Sequence, residues 1–386
     1  MMVKDEPSAV QRKRGTEKKA ARTTKEGIEG CDITFNNARH HDDGEGGSKG
    51  KGRRTLHGLN AISQRPIVLL VAVAMVVLVL RLTYSSAPVM YRRDLLRQRA
   101  GMGTIIYGTA WKGPDTSRLV AEAIRAGFRH VATAARHGNY NESGVGDGWT
   151  TAVADMGLAR EDIFIQTMFV PFGSADLASG NHKAANIEEE VRSSVHTSLA
   201  NLRTSYLDIV LYHNVKNKLE PIENMMAGWR VLESFVDDGT IRYLGITNCH
   251  DLNYLQSVYN QSRVKPVIVQ NRFHKNRQFG VPLYPFLQEK NITWQMFWVL
   301  TGNGGVLNKD VTKQLSEARN LTPHTFMYAF VLSLGGSPMI GTKSRQHMDE
   351  DLKVAKQFDD KGTQAFFEDD KDRQKFAAAL GKPDLI

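Results

Sequence analysis

Apolar and polar positions follow two different periods along most of the chain. From residue 102 onward, short apolar runs are separated by longer stretches in which apolar residues recur every three or four positions. One such stretch, residues 187–202, places Val191, Val195 and Leu199 on one helical face. The apolar runs predict β-strands at residues 104–109, 131–134, 163–169, 207–213, 243–248, 266–273, 294–301 and 339–342. We therefore expect strands and helices to alternate eight times.

Eight alternations of this kind predict an α/β fold, a (β/α)8 barrel of the triosephosphate isomerase type, over residues 102–358. A doubly wound parallel sheet is the alternative, but no G-x-G-x-x-G phosphate loop follows the first predicted strand. In such barrels the chemistry takes place at the carboxyl ends of the strands. Polar residues occur there, since His213 and Asn248 end the fourth and fifth predicted strands and Lys343 follows the eighth.

A continuous apolar run lies nearer the amino terminus. Residues 66–80 contain no polar side chain and are flanked by Arg65 and Arg81. As a helix, this run spans roughly 22 Å, against a hydrocarbon core of roughly 30 Å, and the next few residues extend it. We predict a single transmembrane helix at residues 66–84, followed by a linker at 85–101. A cleaved signal peptide would lie closer to the first residue, and the barrel has no place for a further buried helix.

The sequence does not determine which side of the membrane each end of this predicted helix faces. Five Lys or Arg lie within twenty residues of each end, so the positive-inside rule selects neither side. Asn-x-Ser/Thr triplets at Asn141, Asn260, Asn291 and Asn320 would permit a lumenal domain, although such triplets also arise by chance. The short apolar length suits membranes of the early secretory pathway better than the plasma membrane. We expect a single-pass membrane protein.

The excess of basic residues is concentrated before the apolar run. The net charge is +9, and residues 1–65 hold 14 Lys and Arg against 9 Asp and Glu. This segment is rich in Gly and in charge, shows no helical or strand period, and is predicted to be a disordered basic tail. Its basic run at residues 12–25 fits an acidic membrane surface, a sorting receptor or a simply solvated tail. No recognition motif accompanies a basic face elsewhere, so no nucleic-acid partner is expected.

The remaining features limit the possible interpretations of the domain but do not identify its chemistry. The charge-rich residues 359–386 are predicted to form a loosely packed tail after the barrel. Cys31 and Cys249 are the two cysteines of the chain and offer neither a disulfide framework nor metal-ligand spacing. The loops predicted over the barrel mouth, residues 170–185 and 215–221, have a mixed polar composition that selects no particular ligand.

Residues 130–142 read HVATAARHGNYNE and include the second predicted strand and the loop after it. With the preceding GFR, this stretch resembles the pattern G-[FY]-R-H-I-D-T-A…Y-x-N-E of the aldo-keto reductases. The resemblance covers about residues 102–355, and the segments GTAWK, QNRF, QMFW and HM-x-E-D-L resemble fungal-type members most. It implies the barrel fold and the NADP(H)-dependent reduction of an aldehyde or ketone, a small-molecule carbonyl substrate.

The resemblance also implies a catalytic set of an Asp, a Tyr, a Lys and a His. Tyr140 stands in the place of the Tyr, and His213, which ends the segment LDIVLYH, stands in the place of the His. Ala132 replaces the Asp, and Met168 replaces the Lys. Tyr140 and His213 therefore remain as the candidate catalytic pair. Without the family pattern, they would more simply be a helix-start tyrosine and a buried histidine.

The same resemblance implies an NADP(H) site. Asn248 and Gln270 are expected at the carboxamide, Phe297 against the nicotinamide ring, and the segment after the last strand at the adenosine 2′-phosphate. The two cations and the hydroxyl of that segment favour NADP over NAD. The implied cofactor-binding residues are Gly108, Thr109, Trp111, Lys112, Thr247, Asn248, Gln270, Phe297, Trp298, Leu300, Lys343, Ser344 and Arg345.

Two hypotheses about function follow from the residues Ala132 and Met168. The Asp and Lys that they replace form a buried ion pair in the family. Removing one partner of such a pair costs about 3–5 kcal/mol, whereas replacing both by apolar residues can leave stability unchanged. One hypothesis is a membrane-anchored NADP(H)-dependent reductase whose catalysis is weakened, because no lysine polarises the Tyr140 hydroxyl. The other is a catalytically inactive barrel that acts as a cofactor-binding or interaction module.

Overall fold

Eight parallel strands form a closed barrel. The structure, a computed structural model, describes residues 102–136, 138–171, 186–213 and 221–386. Its strands pair in chain order, and the eighth pairs with the first. They are β1 (Ile106–Gly108), β2 (His130–Ala132), β3 (Phe164–Phe169), β4 (Leu207–His213), β5 (Ile241–Thr247), β6 (Ile268–Arg272), β7 (Thr293–Phe297) and β8 (Ser337–Ile340). The predicted barrel is confirmed.

Helices cover the outside of the barrel between successive strands. They are α1 (Thr116–Ala126), α2 (Glu142–Met156), α3 (Ile187–Asn201), α4 (Ile222–Asp237), α5 (Leu252–Gln261), α6 (Tyr284–Glu289), α7 (Gly304–Leu307), α8 (Asp310–Glu317), α9 (Pro323–Ser333), α10 (Arg345–Lys361) and α11 (Asp370–Leu380). The helix predicted at residues 187–202 is α3. It begins after Asn186, whose side chain accepts a hydrogen bond from the N–H of Glu189.

The alternation of side chains along the strands separates two apolar clusters. Phe164 and Met168 of β3 join Leu211 of β4 in a small inner cluster. Ile165 and Phe169 of β3 belong to the larger outer cluster between strands and helices. Successive side chains leave a strand on opposite faces, so β3 must be apolar on both. This requirement explains the nearly continuous apolar runs in the sequence.

An ion cluster joins the amino ends of three neighbouring strands. The buried carboxylate of Asp208 accepts hydrogen bonds from Arg160 at 2.8 Å and from Arg242 at 3.0 Å. It also accepts the backbone N–H of Ile165 at 2.9 Å. Both guanidinium groups lie 4.1 Å from the centre of the Tyr206 ring. This cluster lies at the end of the barrel opposite the site of chemistry, where side chains serve stability.

Most strands are shorter than predicted, and β7 shows why. β4 has its predicted bounds, whereas β7 ends at Phe297 and not at residue 301. The next residue, Trp298, has a φ of 61°, in the left-handed region that a strand cannot pass through. The apolar run in the sequence therefore extends past the end of β7, and its length overestimates the length of the strand.

Residues 359–386 correct the prediction of a loosely packed tail. They contain α11 and three phenylalanines that are buried. The ring of Phe376 lies 4.9 Å from that of Phe326 and 4.8 Å from that of Phe330, both in α9. Because the charged residues of α11 lie on its exposed side, the high charge content of the segment concealed an amphipathic helix.

Several predictions concern residues outside the described ranges. The basic tail at 1–65, the transmembrane helix at 66–84 and the linker at 85–101 all lie there, as do residues 172–185 and 215–220 of the mouth loops. Within the ranges that the structure describes, no helix is both long and apolar enough to cross a membrane. The membrane anchor therefore stays a prediction.

Replacing Phe376 by Ala should lower the free energy of unfolding by about 3–5 kcal/mol, because a buried ring is lost and a cavity remains. The matched control on the same helix is Lys371→Ala. That side chain is 81% exposed, and its loss should change the free energy by less than about 0.5 kcal/mol. Denaturant unfolding of the full-length chain, followed by near-UV circular dichroism, measures both variants. Equally small effects would contradict the packing of α11 on the barrel.

Candidate active site

A cavity of about 1130 Å³ opens at the carboxyl ends of the strands. This volume is slightly above the usual range for small-molecule sites, roughly 300–1,000 Å³. Gly108, His213 and Phe297 end three different strands at its wall, and Gln270 reaches it from within β6. Residues far apart in the sequence meet here because all eight strands run in the same direction.

The structure brings most of the predicted site residues to this cavity. Those on its wall are Tyr140, His213, Gly108, Trp111, Thr247, Asn248, Gln270, Phe297, Trp298, Leu300 and Lys343. Thr109, Lys112, Ser344 and Arg345 do not line it. The placement of a residue at the wall does not test its role, so the assignments to catalysis and cofactor binding stay predictions.

Tyr140 lies in the loop between β2 and α2, directly before the N-cap Asn141. Its N–H donates to the carbonyl of Arg136 at 3.1 Å, so this part of the loop forms one turn. The side chain packs against the inner apolar cluster. Burial raises the pKa of the Tyr140 phenol, and the positive charge of Arg136 partly opposes this shift. The hydroxyl is therefore protonated at neutral pH and can donate a proton.

His213 ends β4 and is oriented from the neighbouring strand. Its Nε2 lies 2.8 Å from Nδ2 of Asn248, the residue after β5. An amide nitrogen can only donate, so Nε2 accepts this hydrogen bond and the neutral ring carries its proton on Nδ1. Asn248 has a φ of 58°, which Asn adopts more readily than most residues. The turn after β5 thus sets the tautomer of His213.

The two substituted positions are apolar in the structure. Met168 lies on the cavity wall and packs in the inner cluster with Ala134, where Tyr140 contacts the same cluster. Ala132 ends β2 and is buried. A thioether fills irregular space and carries no charge. The apolar cluster that Tyr140 contacts therefore has an uncharged side chain at position 168, where the sequence resemblance predicts a lysine.

A chain of buried amides crosses the barrel interior. Gln270 Nε2 donates to Gln295 Oε1 at 2.8 Å, and Gln295 Nε2 donates to Gln166 Oε1 at 2.9 Å. His130 Nε2 lies 3.2 Å from the same Gln166 oxygen. Burial lowers the pKa of His130 to about 3, so its ring is neutral and Nε2 holds the proton that it donates. This chain fixes the orientation of Gln270 at the cavity wall.

Two tryptophans at the cavity have left-handed backbone conformations. Trp111, after β1, has a φ of 62°, and Trp298, after β7, has a φ of 61°. Their side chains are 69% and 45% exposed. For bulky residues this conformation costs about 1–3 kcal/mol and persists where the surroundings enforce it, often at ligand sites. The guanidinium of Arg272 lies 3.8 Å from the centre of the Trp298 ring.

Lys112 supports the loop after β8 instead of lining the cavity. Its buried Nζ donates to the carbonyls of Gly341 at 2.9 Å and Thr342 at 3.3 Å. The hydroxyl of Tyr107 donates to the Thr342 carbonyl at 3.1 Å. Burial and then the charge of Lys343 lower the pKa of Lys112 to about 8. These hydrogen bonds hold the segment that brings Lys343 to the cavity wall.

Three further predicted cofactor residues have local partners away from the wall. Ser344 is the N-cap of α10, and its side chain accepts a backbone N–H of the first turn. Arg345 donates through Nε to both oxygens of Asp349, at 2.9 and 3.1 Å, one helical turn further on. Thr109 is buried and donates to a carbonyl of β2. The family pattern gave the order of these residues but not the direction in which their side chains leave the backbone.

Several residues of the wall were not predicted from the sequence. Arg136 and Asn139 precede Tyr140, and Arg272 ends β6. The chain reads Tyr-Asn-Glu where the family pattern reads Y-x-N-E, and both Asn139 and Tyr140 reach the cavity. If the two are aligned on Asn-Glu, the tyrosine of the family pattern falls on Asn139 and not on Tyr140. This difference of one residue was the sequence signal for Asn139. Arg272 was already present in the quoted segment VQNRF, but nothing in the sequence indicated that its side chain meets the cavity.

Asp351 of α10 is a further missed residue of the wall. It is buried, and burial, followed by the negative charge of Glu350, raises its pKa to about 8. The carboxyl is therefore mostly neutral at pH 7 and can donate as well as accept a hydrogen bond. A carboxylate in a charge-rich helix gives no sequence signal of this kind, because the shift arises from neighbours brought together by folding.

Known proteins resemble this chain in sequence. It is 30% identical over 210 residues to the uncharacterised oxidoreductase YtbE of Bacillus subtilis, covering 54% of this chain and 67% of that protein. It is 28% identical over 212 residues to the glyoxal reductase of the same organism, covering 54% and 66%. An oxidoreductase of Schizosaccharomyces pombe is 26% identical over 276 residues, covering 70% and 86%.

Solved structures resemble it in fold. An aldo/keto reductase from Brucella melitensis has a TM-score of 0.57 at 23% identity and covers 72% of this chain and 94% of its own. An aldose reductase from Schistosoma japonicum has a TM-score of 0.59 at 22% identity and covers 72% and 88%. The family model of the aldo/keto reductases matches residues 100–366. Together with the barrel and its cavity, this match shows that the chain belongs to the aldo/keto reductase family.

Proposed function

We propose that this chain is a membrane-anchored, NADP(H)-dependent oxidoreductase that reduces aldehydes or ketones with weakened catalysis. The observation that carries this proposal is a single cavity that joins a proton donor, Tyr140, to an aromatic wall at Phe297 and a cation at Lys343. The similarity to a protein named glyoxal reductase supports a carbonyl substrate.

The cavity wall fits a nicotinamide dinucleotide in three respects. Phe297 offers a ring for stacking, and the amides of Asn248 and Gln270 offer hydrogen-bonding groups. Lys343 is exposed and, among the described residues, has no ion-pair partner, so its ammonium group can bind a phosphate. When bound, the reduced cofactor supplies the hydride that adds to the carbonyl carbon. A phosphate at Lys343 favours NADP over NAD.

Tyr140 supplies the proton that the reduced carbonyl oxygen requires. The burial that raises the pKa of Tyr140 keeps the donor protonated but makes the phenolate less stable, so proton transfer is less favourable. A lysine at position 168 would stabilise the phenolate, and its absence is expected to lower the rate by about 10²–10³. Alcohol oxidation requires the phenolate itself and should be affected more. His213 can orient the carbonyl group through Nε2 only when this nitrogen carries the ring proton and the Asn248 amide no longer donates to it.

The apolar filling of positions 132 and 168 also favours a second function. A barrel in which Ala132 and Met168 pack well keeps its stability without the catalytic ion pair. Such a barrel could bind the cofactor without turnover and act as a cofactor-binding or interaction module. Both functions require the same cavity, and turnover distinguishes them.

Membrane anchoring is the part of the proposal that rests on residues 66–84. Their apolar side chains, with arginines on both sides, support a single-pass helix. The full-length chain expressed in cells should stay in the membrane pellet after carbonate extraction, and deletion of residues 66–84 should release it. Recovery of the full-length chain in the supernatant would contradict the anchor. Modification of Asn260 or Asn291 by glycans would place the barrel on the lumenal side.

NADPH titration of the full-length chain, followed by protein fluorescence, tests the cofactor site. We expect saturable quenching, with weaker binding of NADH. Lys343→Met should weaken NADPH binding by about tenfold or more while changing NADH binding little, because one charge-assisted contact to the 2′-phosphate is lost. Lys371→Met, an exposed lysine of α11, is the matched control. No quenching by either cofactor would contradict the reductase and the cofactor-binding module.

NADPH consumption with a panel of aldehydes then separates the two functions. Consumption supports the reductase, and quenching without consumption over the whole panel supports the cofactor-binding module.

The double substitution Ala132→Asp with Met168→Lys should raise turnover by about 10²-fold, because it restores a cation beside the Tyr140 hydroxyl. Met168→Lys alone should destabilise the fold by about 3–5 kcal/mol, since the buried charge has no partner. Steady-state reduction of an aldehyde measures the gain, and Tyr140→Phe in the double variant is the control that should remove it. An unchanged or lower rate in a folded double variant would count against Tyr140 as the proton donor.

A further inference from the structure

Arg272 is a residue of the cavity wall to which the proposed function gives no role. It ends β6, beside the end of β7. Its guanidinium lies 3.8 Å from the centre of the Trp298 ring and 5.7 Å from that of Phe297. An aromatic face holds a guanidinium in place while its N–H groups stay available for hydrogen bonds.

No carboxylate among the described residues binds Arg272. Its guanidinium takes part in no ion pair and no hydrogen bond with them, and Nε is buried without an acceptor. A buried donor without an acceptor costs about 1–3 kcal/mol. The structure therefore keeps an unfavourable arrangement at the wall of this cavity.

The other stacked arginines in the described ranges differ from Arg272 in this respect. Arg160 and Arg242 lie on the Tyr206 ring, and both bind the carboxylate of Asp208. Arg319 lies 5.0 Å from the centre of an aromatic ring and binds a carboxylate of α11 at 2.7 Å. Among the described residues, these three stacked arginines, which lie away from the cavity, each bind a carboxylate of the protein. Arg272, at the cavity wall, binds none.

The charges near Arg272 are also positive. Burial, and then the charges of Arg277 and Arg272, lower the pKa of His250 to about 4, so this imidazole is neutral and the nearby positive charges are those of the two arginines. The carboxyl groups of the cavity wall, Glu350 and Asp351, come from α10 and not from the strands beside β6. This part of the wall therefore attracts anions.

We propose that Arg272 is an oxyanion-binding residue of the cavity, whose guanidinium, held on Trp298, binds the oxygens of a phosphate or a carboxylate. A planar guanidinium matches both groups with two parallel hydrogen bonds. The anion is either a phosphate of the cofactor or a carboxylate carried by the carbonyl substrate. Both sources rest on the proposed function, whereas oxyanion binding by the chain does not.

The left-handed backbone at Trp298 agrees with this role. Its φ of 61° is costly for a bulky residue, and it turns the chain directly after β7. The turned Trp298 contributes the ring on which Arg272 lies. The strain is therefore found at the residue that orients the proposed anion site.

Calorimetric titration of the full-length chain with sodium pyrophosphate and with sodium benzoate tests the site without turnover. Arg272→Met keeps an apolar stem over Trp298 and removes the charge. It should weaken binding of at least one anion by about tenfold or more. Arg272→Lys, which keeps the charge but not the planar fork, should bind with intermediate affinity. Arg118→Met, whose side chain is 62% exposed on α1, is the matched control and should bind as the wild type does.

Two results of this titration overturn the proposal. One is that the wild type binds neither anion, and the other is that Arg272→Met binds both with wild-type affinity. Far-UV circular dichroism verifies that each variant is folded. If the Met variant does not fold, Arg272→Gln provides the neutral side chain, and the same two results apply to it.

A second experiment distinguishes the two sources of the anion. It compares NADPH binding and the KM values of 4-carboxybenzaldehyde and its methyl ester between wild type and Arg272→Met. Weaker NADPH binding, with both aldehydes affected equally, assigns the cofactor phosphate. A KM raised about tenfold for the carboxylate alone assigns the substrate. Unchanged values throughout overturn both assignments. If the wild type neither binds nor consumes NADPH, the proposed function fails while the calorimetric result on anions stands.

Discussion

The hydrogen bonding of eight parallel strands into a closed ring is the constraint on which the rest of the structure depends. Closure occurs where β8 pairs with β1. Because the strands are parallel, their carboxyl ends form one rim, and the side chains at those ends face a common space. His213, Asn248 and Phe297 meet at one cavity for this reason alone. The ring also gives each strand two buried faces, which accounts for its apolar sequence.

The interior of the barrel around Ala132 and Met168 contains apolar and neutral polar side chains. Met168 and its neighbours form an apolar cluster on one side, and the amides of Gln166, Gln270 and Gln295 form a hydrogen-bonded chain. His130, which joins the chain, is neutral because burial lowers its pKa. At this level the described residues are held by packing and by hydrogen bonds between amides, and the buried ion pairs of Asp208 lie at the amino ends of the strands.

Charge in the cavity is instead carried by its rim, and each cation is supported in a different way. Lys343 lies in a segment whose carbonyls bind the buried Lys112. Arg272 lies on an aromatic ring. The carboxyl of Asp351, also at the wall, is mostly neutral at pH 7 because burial raises its pKa to about 8. The positive charge of the rim is thus only weakly offset, which suits a ligand with several anionic groups.

The sequence by itself determined the barrel and the order of its elements, because strand and helix formation follow local apolar periods. The family pattern added the candidate pair and nine further residues of the cavity wall. Only the tertiary structure decided that Arg345 binds within its own helix, that Lys112 holds a loop, and that residues 359–386 pack on the barrel. It also decided that Arg272 reaches the cavity. The physical reason is that a local period fixes which face of an element is apolar, whereas the partner of a polar side chain depends on segments that folding brings together.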